Sequence, residues 1–370
     1  MKKGNTTEVF FALFRAGLWE KEVRLLPHGD IDFEEVFQLA QEQSVLGLVA
    51  AGLEHVTDLK VPKKVALQFV GQTMQLEQRN QAMNAFIGKL MEKMRAADIY
   101  SVLVKGQGIA QCYERPLWRA CGDVDLFLDG ANYEKTQALL APVASSLDLD
   151  RGGHHGMTID GWVVELHSHL HCGLSPRMDK VIDQVQADVF QNEGVRPWDN
   201  GGVRILLPSA DNDVVLIFTH FLKHFYKGGL GLRQICDWCR LLWTYRDVID
   251  VGLLEKRLEA MRLMTAWKAF AAFVVDNLGM PVEAMPLYSP EAKWSRKARG
   301  IMRFVLMSGN FGHNRDQSYF VKYPYLIRKV YSFGRRCGDL LRHARIFPWD
   351  SLRFFPALVY NGLRSAARGE

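Results

Sequence analysis

The sequence predicts an α+β fold in which a small mixed β-sheet lies between helical N-terminal and C-terminal regions. Two observations support this prediction. Apolar residues recur at helical spacing through most of the chain. Between residues 98 and 172, by contrast, short runs rich in β-branched residues alternate with glycine-containing turns and short helical patterns. Such an alternation is typical of a compact sheet with helices packed on it.

The length of 370 residues suggests two or three domains, or one domain with helical elaborations. We divide it into four segments. Residues 1–97 form a helical N-terminal region, residues 98–207 an α/β core, residues 208–320 a helical C-terminal domain, and residues 321–370 a basic helical tail. No apolar run has the length needed to span a bilayer, and the basic start of the chain lacks the cleavage site of a signal peptide.

The elements of each segment follow from local signals. Asp32 precedes an amphipathic pattern as a helix cap, and Pro62 opens a long helix that continues to about Ala97. The core then shows strand and helix patterns in alternation, and two further helices follow it. These predicted elements are a strand over 99–104, a helix over 109–113, a strand over 121–128, a helix over 133–144, a strand over 162–167, and helices over 208–225 and 232–243.

The composition is that of an ordinary soluble globular protein, with 48% hydrophobic and 24% charged residues. Six cysteines without regular spacing indicate free thiols in a reducing cytoplasm. The net charge of +5 is concentrated at the end, where residues 321–370 carry ten Lys and Arg against three acids. This tail could bind nucleic acid, a membrane surface or an acidic partner, or it could be the solvated face of ordinary helices.

The chemistry is concentrated in three carboxylates. Asp123 and Asp125 lie two residues apart in a strand pattern, so both side chains project from one face. Two like charges this close repel unless a cation lies between them. Glu165 lies in the later strand pattern, and three carboxylates on neighbouring strands form an oxygen cage suited to Mg²⁺ or Mn²⁺. The alternatives are a solvated strand edge for the two aspartates and a structural ion pair between Glu165 and Arg119.

The order of strand, glycine turn, helix, Asp-x-Asp strand and later acidic strand resembles the polymerase-β-like nucleotidyltransferase superfamily. More specifically, the chain resembles a large and mostly uncharacterised bacterial nucleotidyltransferase family over most of residues 35–315. The matching residues are Lys105-Gly106-Gln107-Gly108, Tyr113, Pro116, Arg119, Asp123-Val124-Asp125, Glu165-Leu166-His167, His220, His224, Arg233, Asp237 and Gly309-Asn310-Phe311-Gly312.

The resemblance implies a metal-dependent enzyme that moves a nucleoside monophosphate from an NTP to a hydroxyl and releases pyrophosphate. Asp123 and Asp125 would hold one Mg²⁺ or Mn²⁺, and Glu165 would share a second ion or take the hydroxyl proton. The predicted nucleotide-binding residues are Lys105, Gly106, Gln107 and Arg119. The acceptor stays open among a small molecule, a peptide, a protein and tRNA.

The turn differs from the superfamily pattern, because Gln107 stands where that pattern has a serine or glycine. This change leaves a second function open, namely a non-catalytic module that binds an NTP or RNA.

Four further side chains are possible substrate contacts: His167, His220, His224 and Arg233. Each also has a structural interpretation. The histidines could be satisfied core residues, and Arg233 has Asp237 at helical i,i+4 spacing as a surface ion-pair partner. Alternation of His167 with His169 and His171 suggests zinc, but a fourth ligand is not evident.

Overall fold

A computed structural model describes residues 4–148, 154–192, 194–312, 314 and 324–367. The chain forms two compact units. The first unit comprises Met1–Leu170, Asp183–Leu216 and Arg240–Ile249, and the second comprises His171–Ile182, Ile217–Cys239 and Asp250–Glu370. The fourfold division at residues 97, 207 and 320 stays a prediction.

The N-terminal region of the first unit is helical, as predicted. Its long helix, Lys63–Ala96, ends one residue before the predicted end at Ala97. The Asp32 side chain accepts a hydrogen bond from the Glu35 backbone N–H and so caps the second helix. The first and third helices cross closely because Gly52 has no side chain: a Cβ there would lie 1.9 Å from the Leu13 carbonyl oxygen. These helices are α1 (Gly4–Trp19), α2 (Phe33–Glu42), α3 (Leu46–Glu54) and α4 (Lys63–Ala96).

A five-stranded mixed sheet forms the centre of the first unit, in the order β1-β2-β5-β4-β3. The pairing of β2 with β5 is parallel, and the other pairings are antiparallel. This sheet and its helical surroundings confirm the α+β prediction. The strands are β1 (Val102–Val104), β2 (Asp123–Phe127), β3 (Ser146–Leu147), β4 (His154–Ile159) and β5 (Trp162–His167), with helices α5 (Gly106–Ala110) and α6 (Gly130–Leu140) between them.

The two faces of the sheet have different surroundings. Val124 and Leu126 of β2, with Val164 and Leu166 of β5, project from one face into a core that includes residues of α4 and α6. The acidic positions of the same strands project from the opposite face, since side chains alternate along a strand. Burial of one face therefore fixes the register and directs the carboxylates away from the main core.

Two strands of a separate hairpin were not predicted individually. They are β6 (Val195–Asn200) and β7 (Val203–Pro208), joined by Gly201 and Gly202. Both glycines have positive φ, at 62° and 89°. Such a two-residue turn matches the twist of a hairpin and favours glycine. The half-buried Arg196 of β6 pairs with the buried Asp213, with 2.8 Å between Nη2 and Oδ2.

Helices account for most of the remaining described chain, as predicted. The helices predicted over 208–225 and 232–243 are found at Ala210–Lys227 and Leu232–Thr244, within two residues of their predicted bounds. Phe218, Trp238 and Trp267 are fully buried in the core of the second unit, with ring centroids 4.7–5.5 Å apart. No described helix combines the length and the hydropathy that a membrane crossing requires. The helices are α7 (Pro176–Gln191), α8 (Ala210–Lys227), α9 (Leu232–Thr244), α10 (Val251–Met261), α11 (Met264–Leu278), α12 (Ala292–Ser308), Tyr325–Ile346 and Pro348–Ala367.

The last two helices fall within the predicted tail, and residues 321–323 and 368–370 of that tail lie outside the described residues. All six cysteines are free thiols. Burial raises the pKa of Cys112 to about 11 and that of Cys172 to about 12, which makes both poor nucleophiles at neutral pH.

Candidate active site

Parallel pairing of β2 with β5 brings the predicted carboxylates together on one face. Asp125 is the register partner of Glu165, and Asp123 lies two residues earlier on the same face of β2. Asp125 is buried, whereas Asp123 and Glu165 are half-buried. The structure therefore groups the three acids on two hydrogen-bonded strands, with the most enclosed carboxylate in the middle of β2.

Lys105 supplies the ammonium group beside these acids. It follows β1, and its Nζ donates a hydrogen bond to Asp125 Oδ1 at 3.0 Å. Its backbone has φ 58° and ψ −144°, a conformation that costs an L-residue on the order of 1–3 kcal/mol. Gly106 follows with φ 42°, and a Cβ at this glycine would lie 3.3 Å from the sulfur of Cys121. The turn is thus held tightly against the start of β2.

His167 lies beside Asp125 on the neighbouring strand. Its Nε2 is 2.7 Å from Asp125 Oδ1, and both side chains are buried. Burial alone would raise the pKa of Asp125, but the Lys105 ammonium and the hydrogen bond with His167 outweigh it and hold that pKa well below its usual range. Burial lowers the pKa of His167, so its imidazole is neutral at physiological pH. Asp125 is correspondingly ionised.

The pKa of Lys105 is raised, whereas those of Asp125 and His167 are lowered. Burial would lower it, but the Asp125 carboxylate at hydrogen-bond distance, with Asp123 and Glu165 nearby, raises it above its ordinary value. Lys105 is therefore a permanent cation at neutral pH.

His154 completes the group and was missed by the sequence analysis. Its Nε2 is 3.0 Å from Glu165 Oε2, and this hydrogen bond holds the pKa of Glu165 below its ordinary value. His154 reaches this position because β4 and β5 form a hairpin in which it pairs with His167. The signal was the Asp160-Gly161 turn, whose φ values of 50° and 79° are those of a tight hairpin. Counting outward from that turn pairs His154 with His167.

His154, Glu165 and His167 each offer one ligand atom, and these atoms all lie within 4.8 Å of one another. Across the described part of the chain, this is the one group of three or more His, Cys, Asp or Glu side chains with such spacing. It differs from the alternating His167, His169 and His171, which the sequence analysis considered for zinc without a fourth ligand, because β5 ends at His167 and the alternation stops there.

The other predicted nucleotide-binding residues have different surroundings. The Gln107 amide is buried and donates to Asn80 Oδ1 of α4 at 2.8 Å. Asn80 in turn donates to the carbonyl oxygens of Leu117 and Arg119, at 2.7 and 2.8 Å. Arg119 is itself buried. The Gln107 side chain therefore braces the loop that precedes β2, while its neighbour Gly106 lines the turn beside the acids.

The remaining predicted substrate contacts belong to the second unit. His220 and His224 lie one turn apart on α8, with their Nε2 atoms 3.1 Å apart. The His224 ring packs edge-on against Phe311, and the Arg233 guanidinium lies 5.6 Å from the centre of the same ring. His224 and Arg233 thus contact Phe311, and His220 contacts His224; a contact of the three side chains with substrate stays a prediction.

The donor set of the acidic group fits a divalent cation. Asp123, Asp125 and Glu165 carry three negative charges, against the single positive charge of Lys105. A divalent ion would balance the remaining two charges, and carboxylate oxygens are the ligands that Mg²⁺ and Mn²⁺ favour.

Comparison with protein families gives a match over residues 29–279, more than half of the chain, to a family described as "Uncharacterised nucleotidyltransferase". The chain belongs to this family. This nucleotidyltransferase family membership confirms the predicted resemblance, and the matched region contains the three carboxylates, Lys105 and both strand histidines. Comparisons with curated proteins and with solved structures found no match.

Proposed function

We propose that the protein is a divalent-metal-dependent nucleotidyltransferase that transfers a nucleoside monophosphate from an NTP to a hydroxyl group and releases pyrophosphate. The main support is the pairing of Asp125 with Glu165, which aligns three carboxylates beside one ammonium group. The family to which the chain belongs supports the same class of reaction.

Asp123, Asp125 and Glu165 would hold the ion, Mg²⁺ or Mn²⁺. When bound, such an ion neutralises phosphate charge and acidifies a hydroxyl group. The protein itself then has mainly to position the reactants and compensate charge.

Lys105 provides the positive charge for the phosphates. Because nearby carboxylates raise its pKa, it stays protonated, and its ammonium can pair with a phosphate oxygen as it pairs with Asp125 Oδ1. The strained backbone at Lys105 directs this side chain toward the acids.

Glu165 is the residue we assign to the proton of the acceptor hydroxyl. The acceptor oxygen forms a bond to the α-phosphorus, the bond from that phosphorus to the β-phosphate oxygen breaks, and pyrophosphate leaves. Glu165 is ionised at neutral pH and can accept the released proton. The Glu165 side chain is itself 29% exposed, so the proton can leave from it to solvent.

The test is pyrophosphate release from ATP, GTP, CTP and UTP with Mg²⁺ or Mn²⁺, using cell extract as the source of acceptors. Wild type is compared with Asp123→Asn/Asp125→Asn and with Glu134→Gln, an exposed acid on α6 that serves as the control. Release that is lost only in the double variant supports the proposal, and labelled product then identifies the acceptor. Binding of an NTP without release from any nucleotide would instead support a non-catalytic nucleotide-binding module.

A further inference from the structure

We propose that His154, Glu165 and His167 bind a transition-metal ion, so that this site takes Zn²⁺, Co²⁺ or Mn²⁺ in preference to Mg²⁺. The inference deepens the proposed function, because Glu165 belongs both to the three carboxylates and to this histidine-containing set.

The spacing of the three donor atoms suits one ion. Glu165 Oε2 lies 3.0 Å from His154 Nε2 and 3.5 Å from His167 Nε2. Metal–ligand bonds of roughly 2.0–2.2 Å place two ligands of a tetrahedral ion roughly 3.3–3.6 Å apart. All three donor atoms lie within 4.8 Å of one another, and His167 Nε2 would exchange its hydrogen bond to Asp125 Oδ1 for the ion.

The chemistry of the donors decides which ion is preferred. Imidazole nitrogen is a good ligand for zinc, cobalt and similar ions, whereas Mg²⁺ keeps to oxygen ligands and water. Two of the three donors here are imidazoles, so the set discriminates against Mg²⁺. Two histidines and one carboxylate leave open positions for water or a phosphate oxygen.

The fold supports the ligands on rigid elements. Glu165 and His167 alternate on β5, and His154 is the hairpin partner of His167 on β4. The ring centroids of the two histidines are 4.8 Å apart. The His154 side chain is 42% exposed and that of His167 is 8% exposed, so one ligand faces the entry path while the other is held in place.

The test uses Co²⁺ as a spectroscopic probe and requires no catalysis. Full-length protein is stripped with a chelator and titrated with Co²⁺ while its visible absorption is recorded. We expect wild type to bind Co²⁺ with the intense bands of a low-coordinate site and to retain it against a large excess of Mg²⁺. His154→Gln should weaken Co²⁺ binding by about tenfold or more. His155→Gln, the adjacent histidine on the opposite face of β4, should bind as wild type does.

Co²⁺ affinity that is equal in His154→Gln and wild type would overturn the proposal, as would ready displacement of Co²⁺ by Mg²⁺. Neither result would affect the nucleotidyltransferase assignment, which is tested separately by Mg²⁺- or Mn²⁺-dependent release of pyrophosphate. Conversely, Co²⁺ binding that depends on His154, in a protein that releases no pyrophosphate, would support the metal site and contradict the reaction.

We also propose that a basic groove in the second unit binds a single-stranded nucleic acid through its phosphates. The groove has a volume of about 780 Å³ and runs between α12 and the helix Tyr325–Ile346. The helices approach closely at Gly300, where a Cβ would lie 2.9 Å from Ile346 Cγ1. No Asp or Glu is among its lining residues within the described chain.

Four arginines of this groove are exposed and have no ion-pair partner among the described side chains: Arg296, Arg299, Arg303 and Arg345. Elsewhere in the groove, Lys293 pairs with Glu291, and Lys297 donates to the Ile346 carbonyl. Uncompensated guanidinium groups on two walls of a concave surface suit a phosphodiester chain, which can enter the groove. A flat bilayer would reach only the rim.

The probe is a fluorescently labelled single-stranded RNA, followed by anisotropy at several salt concentrations. We expect Arg299→Glu/Arg303→Glu to weaken binding by more than tenfold and to reduce the salt slope by roughly 0.7 for each lost phosphate contact. Lys256→Glu, an exposed cation on α10, is the control. RNA affinity that is unchanged in the double variant overturns the proposal. The proposal is also overturned if wild type binds phosphatidylserine vesicles but no RNA, and the double variant loses the vesicle binding.

Discussion

Two charged clusters in the first unit differ in how their charges balance. The pair of Arg196 with Asp213 sets one positive charge against one negative charge, and its side chains are 13% and 2% exposed. The acidic cluster sets three carboxylates against Lys105 and leaves Glu165 29% exposed. Removing charges from water is costly, and a matched pair compensates that cost internally. The acidic cluster places three carboxylates beside one ammonium group, and a bound divalent cation would balance two negative charges there.

This difference separates a structural cluster from a functional one. The Arg196–Asp213 pair has no net charge. Burial would lower the pKa of Arg196, but the Asp213 carboxylate outweighs that effect and keeps the pKa above its ordinary value. In the acidic cluster, Lys105 and His167 stabilise the ionised Asp125, while Asp123 and Glu165 add two further carboxylates on the same face that repel it and one another. A substitution in the acidic cluster should therefore lower activity but not stability. A substitution in the Arg196–Asp213 pair should lower stability but not activity per folded molecule.

Asp123→Asn should have the largest effect on activity. Loss of one metal-binding carboxylate is expected to lower pyrophosphate release by about a thousandfold, comparable to removal of a major charge-stabilising group. In chelator, the same variant should unfold at a urea concentration no lower than that of wild type, because one of three like charges is gone. Release within tenfold of wild type would contradict the assigned role.

Asp213→Asn should show the reverse behaviour. It leaves the Arg196 guanidinium buried without its carboxylate, so the free energy of unfolding should fall by about 3–5 kcal/mol. Activity per folded molecule should be retained. Asp211→Asn, two residues earlier on α8, is the matched control and is expected to be milder. An unfolding free energy of Asp213→Asn equal to that of wild type would show that the Arg196–Asp213 pair does not stabilise the fold.

The pH dependence of stability should distinguish Asp125 from an ordinary carboxylate. Its pKa in the folded protein lies below the ordinary value of 3.8, so its contribution is fully present above that pH and is lost as the pH falls further. Without metal, wild type should lose stability on acidification below pH 3.8, and Asp125→Asn should lose less over the same range. Urea unfolding at each pH measures this; parallel curves for the two proteins would refute it.

The smallest expected effect concerns the aromatic neighbour of the buried pair. The Arg196 guanidinium lies 4.9 Å from the centre of the Tyr245 ring. Tyr245→Leu should reduce the free energy of unfolding by about 1 kcal/mol through loss of the cation–π contact. Tyr245→Phe keeps the ring and should stay close to wild type. Equal destabilisation of both variants would assign the effect to the hydroxyl group instead.

Local patterns were sufficient to predict the carboxylates. Alternation in β2 placed Asp123 and Asp125 on one face, and the strand pattern around Glu165 placed the third acid on a neighbouring strand. Lys105 was identified from the turn that follows β1. These features depend on periodicity over a few residues, which a sequence displays directly.

The features of the fold and of the site that were not predicted depend on contacts between segments that are distant in the sequence. The hydrogen bond from Gln107 to Asn80 spans 27 residues, and no local pattern indicates it. His154 was missed because its strand contains glycine and two histidines, which are weak strand signals compared with the turn that follows. The hairpin of β6 and β7 was missed in the same way, although Gly201-Gly202 is a strong turn signal.

The turn at Asp160-Gly161 makes the donor set sensitive to changes in chain length. His154 faces Glu165 only because the turn has two residues; its neighbour His155 projects to the other face. One inserted residue that shifted the pairing would exchange the two histidines and would also move Met157 out of the core. An insertion or deletion in this exposed turn that shifted the pairing would therefore damage the site without altering any ligand.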